Sequence, residues 1–226
     1  MQKEIGYITS LIGDPVRTNI LWALLDNRAY TATELAICAD TSPQNISMHL
    51  NKLVQADLLA VERQGRHKYY RFSKPEVAYA IEAISNLIPN DRHRKIVNNS
   101  THSSVKHCRT CYDHLAGKVG VSITEALLMQ KILELRENTY IVTEFGIDFF
   151  SDLEINIEVL KKQRRIFGKP CLDWSVRKHH LAGALGAALL DRLLALDYIR
   201  RTKNSRAVVV TSKGQQCLYD RFKISI

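Results

Sequence analysis

Apolar residues recur along the first half of the chain at helical spacing, and the stripes stop where local chemistry ends a helix. Ile20, Leu21, Leu24 and Leu25 form one stripe. Asp14-Pro15 opens it, an N-capping aspartate followed by a proline whose fixed φ suits the first helical position. Asn27 and Arg28 close it. Thr31 with Glu34 is a capping-box pattern that starts a short helix over TATELAICAD. Thr41-Ser42-Pro43 then breaks the chain, with Ser42 as the cap of a third helix, PQNISMHLNKLVQADL. One face of that helix carries Ile46, Leu50, Leu53 and Val54; the other carries Gln44, Asn45, Ser47, His49 and Lys52.

Two β-rich stretches follow, LLAVER and KYYRF, on either side of Gln64-Gly65-Arg66-His67, which reads as a hairpin connection. Pro75 opens another helix, with Val77, Ile81, Ile84 and Ile88 on one side. Helix, helix, turn, helix, hairpin, helix is the winged helix-turn-helix order, in which the third helix enters the major groove and the hairpin lies along the backbone.

The second half repeats itself. Residues 89–106 are polar and rich in Ser and Asn, and read as a linker. HLAGKVGVSITEALL from His114 then returns as HLAGALGAALLDRLL from His180. Each copy is preceded by Cys-x-Asp (Cys111 to Asp113, Cys171 to Asp173) and followed by Val-Thr-x-x-Gly, ending at Gly146 and Gly214. Each unit reads as a helix, a turn at Gly120 or Gly186, a second helix and a hairpin. The expected architecture is therefore mainly α with small β-hairpins. A winged helix-turn-helix over 1–88 is followed by a C-terminal domain over 107–226, made of two degenerate winged-helix-like repeats at 107–150 and 171–222. The second copy's helix is apolar on nearly all sides, which suits burial or a dimer interface rather than base reading.

Charge sharpens this picture. The 226 residues carry a formal net charge of +9, which favours a polyanionic partner. Residues 1–88 hold nine cations and nine anions, so the excess lies beyond them. Inside the neutral half, however, Arg63, Arg66, Lys68, Arg71 and Lys74 form a strip without an acid, on the hairpin. Asn and Gln can pair bidentately with adenine, so Gln44 and Asn45 are candidate base readers. Ser42, Ser47, His49 and Lys52 are candidate donors to bases or phosphates, and Arg63, Arg66, His67 and Lys68 candidate phosphate contacts. The basic stretch KKQRRIFGKP (161–170) reads as a solvated connector ahead of a second DNA contact.

The run ELAICADTSPQNISMHLNKLVQADLLAVERQGRHKYYRF resembles the ArsR/SmtB family of dimeric bacterial repressors, over roughly residues 12–88. The resemblance implies a homodimer bound to double-stranded operator DNA. Its seam would be supplied by the first and last helices, here Ile5, Ile8 and Ile12 with Val77, Ile81, Ile84 and Ile88. It also implies two cysteines where this chain has Ala36 and Cys38, so the family's familiar thiol site is incomplete.

Another cluster offers soft ligands: His107, Cys108, Cys111 and His114 lie close in sequence, and Cys171 stands at the repeat's equivalent of Cys111. Cys108, Cys111 and Cys171 together would suit Cd, Pb, As(III) or Zn. Lys106, His107 and Arg109 would equally favour an oxidisable thiol. The third reading is that the cysteines are buried apolar residues, with Asp113 and Asp173 as helix caps. His179, His180 and Cys217 add further potential ligands, and Trp174 reads as core. No run approaches 18 apolar residues, and the stretch MQKEIGYITSLIGD is amphipathic, carries Glu4 and has no apolar core or cleavage site of an export signal, so a cytoplasmic protein with reduced thiols and no membrane partner is expected. The sequence holds no phosphate-binding glycine loop, HExxH or nucleophile elbow, and no enzyme is expected. A protein-contact adaptor is the alternative of another class.

Overall fold

The computed structural model describes residues 1–88, 100–203 and 205–226. The chain divides into two compact units, Met1–Ile84 and Ser85–Ile226. Most of the expected linker, residues 89–99, lies outside the described residues; the rest, from Ser100, is helical. Among the described residues no helix is long and apolar enough to cross a membrane.

Unit 1 begins with α1 (Gln2–Ile12) and α2 (Pro15–Ala23), followed by a 3-10 turn at Leu24–Asp26. After it come β1 (Tyr30–Thr31), α3 (Ala32–Cys38), α4 (Pro43–Gln55), β2 (Leu59–Gln64), β3 (His67–Phe72) and α5 (Pro75–Ser85). The caps act where the sequence placed them. Asp14 accepts from the Arg17 N–H, Thr31 and Glu34 close a capping box, and Ser42 accepts from the Asn45 N–H. The core is the union of the apolar stripes, with Ile20, Leu21, Leu24, Leu25, Leu35, Ile46, Leu50 and Leu53 essentially inaccessible. The hairpin turns through Gly65, whose φ of +60° suits glycine. β1 extends it to a three-stranded sheet in the order β1-β3-β2. Two residues are too few for an alternation pattern, so β1 left no trace in the sequence.

Unit 2 starts with α6 (Ser100–His107) and then runs twice through one plan. The first pass is β4 (Arg109–Cys111), β5 (His114–Ala116), α7 (Gly117–Met129), β6 (Leu133–Arg136), β7 (Thr139–Val142) and α8 (Glu144–Asp152). A short α9 (Ile157–Lys161) intervenes. The second pass is β8 (Lys169–Leu172), β9 (His179–Ala182), α10 (Gly183–Ala195), β10 (Ile199–Arg201), β11 (Val208–Val210) and α11 (Ser212–Phe222).

Each repeat is thus hairpin, helix, hairpin, helix, which corrects the expected helix–turn–helix start. Gly120 and Gly186 are not turns but lie inside the continuous helices α7 and α10. Their lack of a side chain serves close packing. A Cβ on Gly120 would stand 2.5 Å from the Leu115 carbonyl oxygen, and one on Gly186 2.4 Å from that of Leu181. The glycines with positive φ are instead Gly117 (+78°) and Gly183 (+87°), where each hairpin turns sharply into its helix.

The helix–wing–helix half of the plan recurs three times in the chain. α4, α7 and α10 all end through a left-handed residue, Asp57, Lys131 and Asp197, at φ +55°, +55° and +58°. In each, the next N–H reaches back to a leucine carbonyl: Leu58 to Leu53, Ile132 to Leu127 and Tyr198 to Leu193. In each, a hydroxyl after the wing donates to the left-handed residue's carbonyl: Ser73, Thr143 and Thr211. One joint therefore sets the wing against its helix in both units. Within unit 2, α7 packs on β9 and α10 on β5, so each repeat's helix lies against the other's hairpin.

Candidate nucleic-acid interface and metal centre

α4 is amphipathic, and its burial separates the two faces cleanly. Ile46, Leu50 and Leu53 are inside; Ser42, Gln44, Asn45, Ser47 and Lys52 are exposed. Ser42 also serves as the helix cap, so its hydroxyl is partly committed to the Asn45 N–H. His49 departs from the expected face. It is buried, with Nδ1 3.5 Å from the Asp14 carboxylate, where it joins the middle of α4 to the start of α2 rather than facing solvent. Asp14 in turn is held below the usual carboxylate range, chiefly by the Arg17 backbone N–H.

The wing exposes Arg63, Arg66, His67 and Lys68 around its tip. Among the described residues no acid pairs with Arg63, Arg66 or Lys68. The other two cations of the strip are engaged: Arg71 lies 3.8 Å from Glu62, and Lys74 2.7 Å from Asp57. The basic strip thus narrows to its three outermost members, where cations without acidic partners suit phosphates.

The second cluster is built across the two repeats. Cys111 and His114 are the cross-strand pair closing the β4–β5 hairpin, and Cys171 and His180 are the matching pair of β8–β9. The packing of each helix on the other repeat's hairpin brings the two pairs together. The Cys111 and Cys171 sulfurs are 3.9 Å apart and the Nε2 atoms of His114 and His180 3.1 Å apart. One ligand atom from each of the four lies within 4.8 Å of every other. His114, His180 and Cys111 are buried and Cys171 is half-buried.

Each imidazole has a carboxylate behind it. The Asp113 Oδ1 is 3.1 Å from His114 Nδ1, and the Asp173 Oδ2 is 3.5 Å from His180 Nδ1. The carboxylates are themselves held: Arg165 donates to Asp113 at 2.7 Å, and the fully buried Arg109 donates to Asp173 at 2.8 Å. Trp174 is buried as expected and stacks on the Arg109 guanidinium. Asp173 also accepts the Gly117 N–H, which places a carboxylate of the second repeat at the start of the first repeat's helix. Burial opposes protonation of His114, but the Cys111 sulfur and Asp113 outweigh it and hold the ring at about 9. Burial and the neighbouring His114 push His180 well below the ordinary imidazole value. The pair is therefore disposed to hold one proton between its facing nitrogens.

Of the three cysteines singled out as metal ligands, Cys111 and Cys171 are brought together and Cys108 is not among the four. Cys108 packs in the apolar core with Leu115 and Val119, where burial pushes its thiol up to about 12. His114 and His180 enter instead. The signal for them was in the sequence: Cys111 and His114 each have a counterpart in the second repeat. Cys108, just ahead of β4, has no such counterpart: Gly168 stands at the equivalent place. His107 and Cys38 are exposed, and Cys217 lies in the core.

The comparisons with known proteins follow this division. Residues 12–62 match a family model described as a helix-turn-helix domain. Over all 226 residues, and all of the relative, the chain is 41% identical to an uncharacterized HTH-type transcriptional regulator, YdfF, from Bacillus subtilis. Among solved structures it is similar to NolR from Sinorhizobium fredii, at 26% identity over 38% of this chain and 85% of that one, with a TM-score of 0.36. It is also similar to the homodimeric winged helix-turn-helix DNA-binding domain of a possible ArsR-family regulator from Mycobacterium bovis. That match has 19% identity over 43% of this chain and 88% of the other, with a TM-score of 0.36. With a winged helix of the ArsR/SmtB pattern in unit 1 and a relative matched end to end, the chain belongs to the HTH-type transcriptional regulators.

Proposed function

We propose that the chain is a repressor that reads operator DNA as a homodimer and lets go of it when a thiophilic metal ion enters unit 2. The observation that carries the DNA reading is the exposed face of α4, with Gln44, Asn45, Ser47 and Lys52, in the same unit as the acid-free Arg63, Arg66 and Lys68 of the wing. Gln44 and Asn45 read base edges, and the wing cations clamp phosphates. The homodimer is supported by apolar side chains that unit 1 leaves uncovered: Ile5 is 59% and Ile84 44% exposed, with Ile8 and Ile12 half-buried. Val77 and Ile81, by contrast, turn into the unit's own core.

Metal release is supported by the Cys and His side chains gathered in unit 2. A second reading, release by oxidation, is favoured by the 3.9 Å between the Cys111 and Cys171 sulfurs. Two thiols joining as a disulfide would give two protons and two electrons to a peroxide, whose O–O bond breaks to leave two waters, or an alcohol and one water.

The test is fluorescence anisotropy of labelled upstream DNA against the reduced, metal-free protein, over a salt series and then with Cd(II) or peroxide. Retention that prefers one sequence and falls steeply with salt is expected, with loss on adding Cd(II). Salt-independent or absent retention would sink the DNA reading in favour of a protein-contact adaptor. Loss with peroxide alone would replace the metal by the redox signal.

A further inference from the structure

We propose that Cys111, His114, Cys171 and His180 form a closed, four-coordinate site for a zinc-class divalent ion, which ties the two repeats of unit 2 together. This deepens the metal reading above and rests on its premise that unit 2 takes an ion; it fixes the four ligands and the coordination. The first argument is size. With metal–sulfur bonds of about 2.3 Å and metal–nitrogen bonds of about 2.0–2.1 Å, a tetrahedron has edges of about 3.8 Å between sulfurs and about 3.3–3.4 Å between nitrogens. The sulfurs stand 3.9 Å apart and the Nε2 atoms 3.1 Å apart, so these two edges already match, and all four donors lie within 4.8 Å of one another, a small contraction from the corners.

The second argument is the direction of the lone pairs. Asp113 and Asp173 both face an Nδ1, which favours the Nδ1–H tautomer in each ring. The two Nε2 atoms then face one another across 3.1 Å, where either the proton they share or a metal ion that displaces it holds them together. A carboxylate behind each histidine is also the outer shell that orients imidazole ligands on zinc. The third argument is symmetry. Each repeat gives one Cys and one His from one hairpin, so neither repeat can fill four positions alone, and an ion with four protein ligands bridges the two. Burial of three of the four donors leaves the half-buried Cys171 as the side of entry. Two thiolates and two imidazoles suit Zn(II) and its surrogates Co(II) and Cd(II) rather than calcium or magnesium. The ion replaces the two thiol protons and the proton shared by the imidazoles, all of which leave to solvent.

The experiment is titration of the reduced full chain with Co(II), followed by Zn(II) competition. One equivalent should give the intense red d–d bands of tetrahedral cobalt together with a near-ultraviolet thiolate-to-cobalt band, and Zn(II) should bleach both. Cys171→Ser should weaken Zn(II) binding on the order of 100-fold or more, while Cys108→Ala should leave the bands in place. His180→Cys guards against simple misfolding, since it should keep four-coordination and raise the thiolate band by about half as the thiolates go from two to three. Asp113→Asn should weaken binding about 10–100-fold with the spectrum unchanged. Absence of tetrahedral bands from a chain that circular dichroism shows to be folded would overturn the proposal, as would bands lost with Cys108→Ala. The site and the release reading fail separately. Cobalt bands with DNA retention unaltered would keep the site and remove the signal. DNA release by Cd(II) without cobalt bands would do the reverse.

Discussion

α4 of unit 1 and α7 and α10 of unit 2 stand at the same point of the same joint, each running through a left-handed residue into a wing, yet they face opposite ways. α4 buries one face and shows solvent Gln44, Asn45, Ser47 and Lys52. α10 buries Gly183, Ala184, Leu185, Gly186, Leu189, Leu190 and Leu193, and α7 is buried along most of its length. Their starts differ in the same sense. α4 begins at Ser42, an exposed serine cap, whereas α7 and α10 begin at Ala116 and Ala182, which offer no side-chain cap. The first N–H groups there bond to other segments: Gly117 to the Asp173 carboxylate, Ala184 and Leu185 to the carbonyls of Ile166 and Phe167. A winged-helix joint therefore does not by itself leave a polar helix face open to a partner. What decides is whether the helix before the wing keeps a polar face, and in unit 2 that face has been given over to holding two repeats together.

The sharpest way to break this contrast is to attack the buried polar tie. Asp173→Ala strips the Arg109 guanidinium of its carboxylate in a fully buried site and frees the Gly117 N–H. Truncating one partner of such a pair should cost about 3–5 kcal/mol, measured by chemical denaturation. The pH dependence has a definite sign. Burial pushes the Asp173 carboxyl up, but Arg109 and the Ser175 hydrogen bond outweigh it and hold it at about 2. A folded value below the unfolded one means that its contribution is complete above about pH 4 and disappears as the pH falls towards 2. Acid stability of the wild type that matched Asp173→Ala across this window would show that the tie contributes nothing.

Gly186→Ala comes next. The added Cβ would stand 2.4 Å from the Leu181 carbonyl oxygen and 3.3 Å from the His114 Cβ, so helix and hairpin must separate. A loss of about 2 kcal/mol is expected, after allowing for alanine's better helix propensity. If α10 faced solvent as α4 does, the same change would stabilise it.

How much of this could be read in advance follows from the range of the signals. In unit 1 the decisive chemistry is local: Asp14-Pro15, Thr31 with Glu34, Ser42-Pro43 and Gly65 each act within a few residues, and each appears in the fold as its neighbours require. His49 escaped because helical spacing places it on the polar face, while its ring is drawn to Asp14, 35 positions earlier in the chain. In unit 2 the repeat was visible but its geometry was not. Gly120 and Gly186 read as turns because the carbonyls they accommodate belong to a hairpin folded back on the helix. The Cys-x-x-Cys spacing favoured Cys108, yet a three-residue step across a strand start sends Cys108 to the core and Cys111 to the hairpin end. The pairing of Cys111 with His114, and of both with their counterparts some sixty residues on, is set by packing between repeats.

On the DNA side the contrast predicts a division of labour within unit 1. Gln44→Ala should cost about 1–3 kcal/mol of discrimination at one base position and little elsewhere, read by binding to a panel of singly substituted duplexes. Arg66→Ala should weaken all duplexes alike and reduce the slope of log affinity against log salt by about one. Equal and uniform losses from both would mean that α4 reads no bases and differs from α10 only in exposure.

The smallest effect expected is at Gly6, and it separates two meanings of exposure. Gly6 lies inside α1, and a Cβ built there meets nothing within 4 Å, the opposite of Gly186. On an isolated helix face, Gly6→Ala should stabilise by about 0.5–1 kcal/mol, because the unfolded chain loses freedom and the folded helix loses nothing. α1 also carries Ile5, which the proposed dimer would cover. A gain in stability that does not depend on protein concentration would mean that the Gly6 side of α1 stays open to solvent in the dimer. Loss of stability together with a shift of the monomer–dimer equilibrium towards monomer, followed by analytical ultracentrifugation, would mean that a second copy packs against the glycine itself. In that case Gly6 is a close-contact glycine like Gly186, with the opposing surface supplied by another chain instead of another repeat.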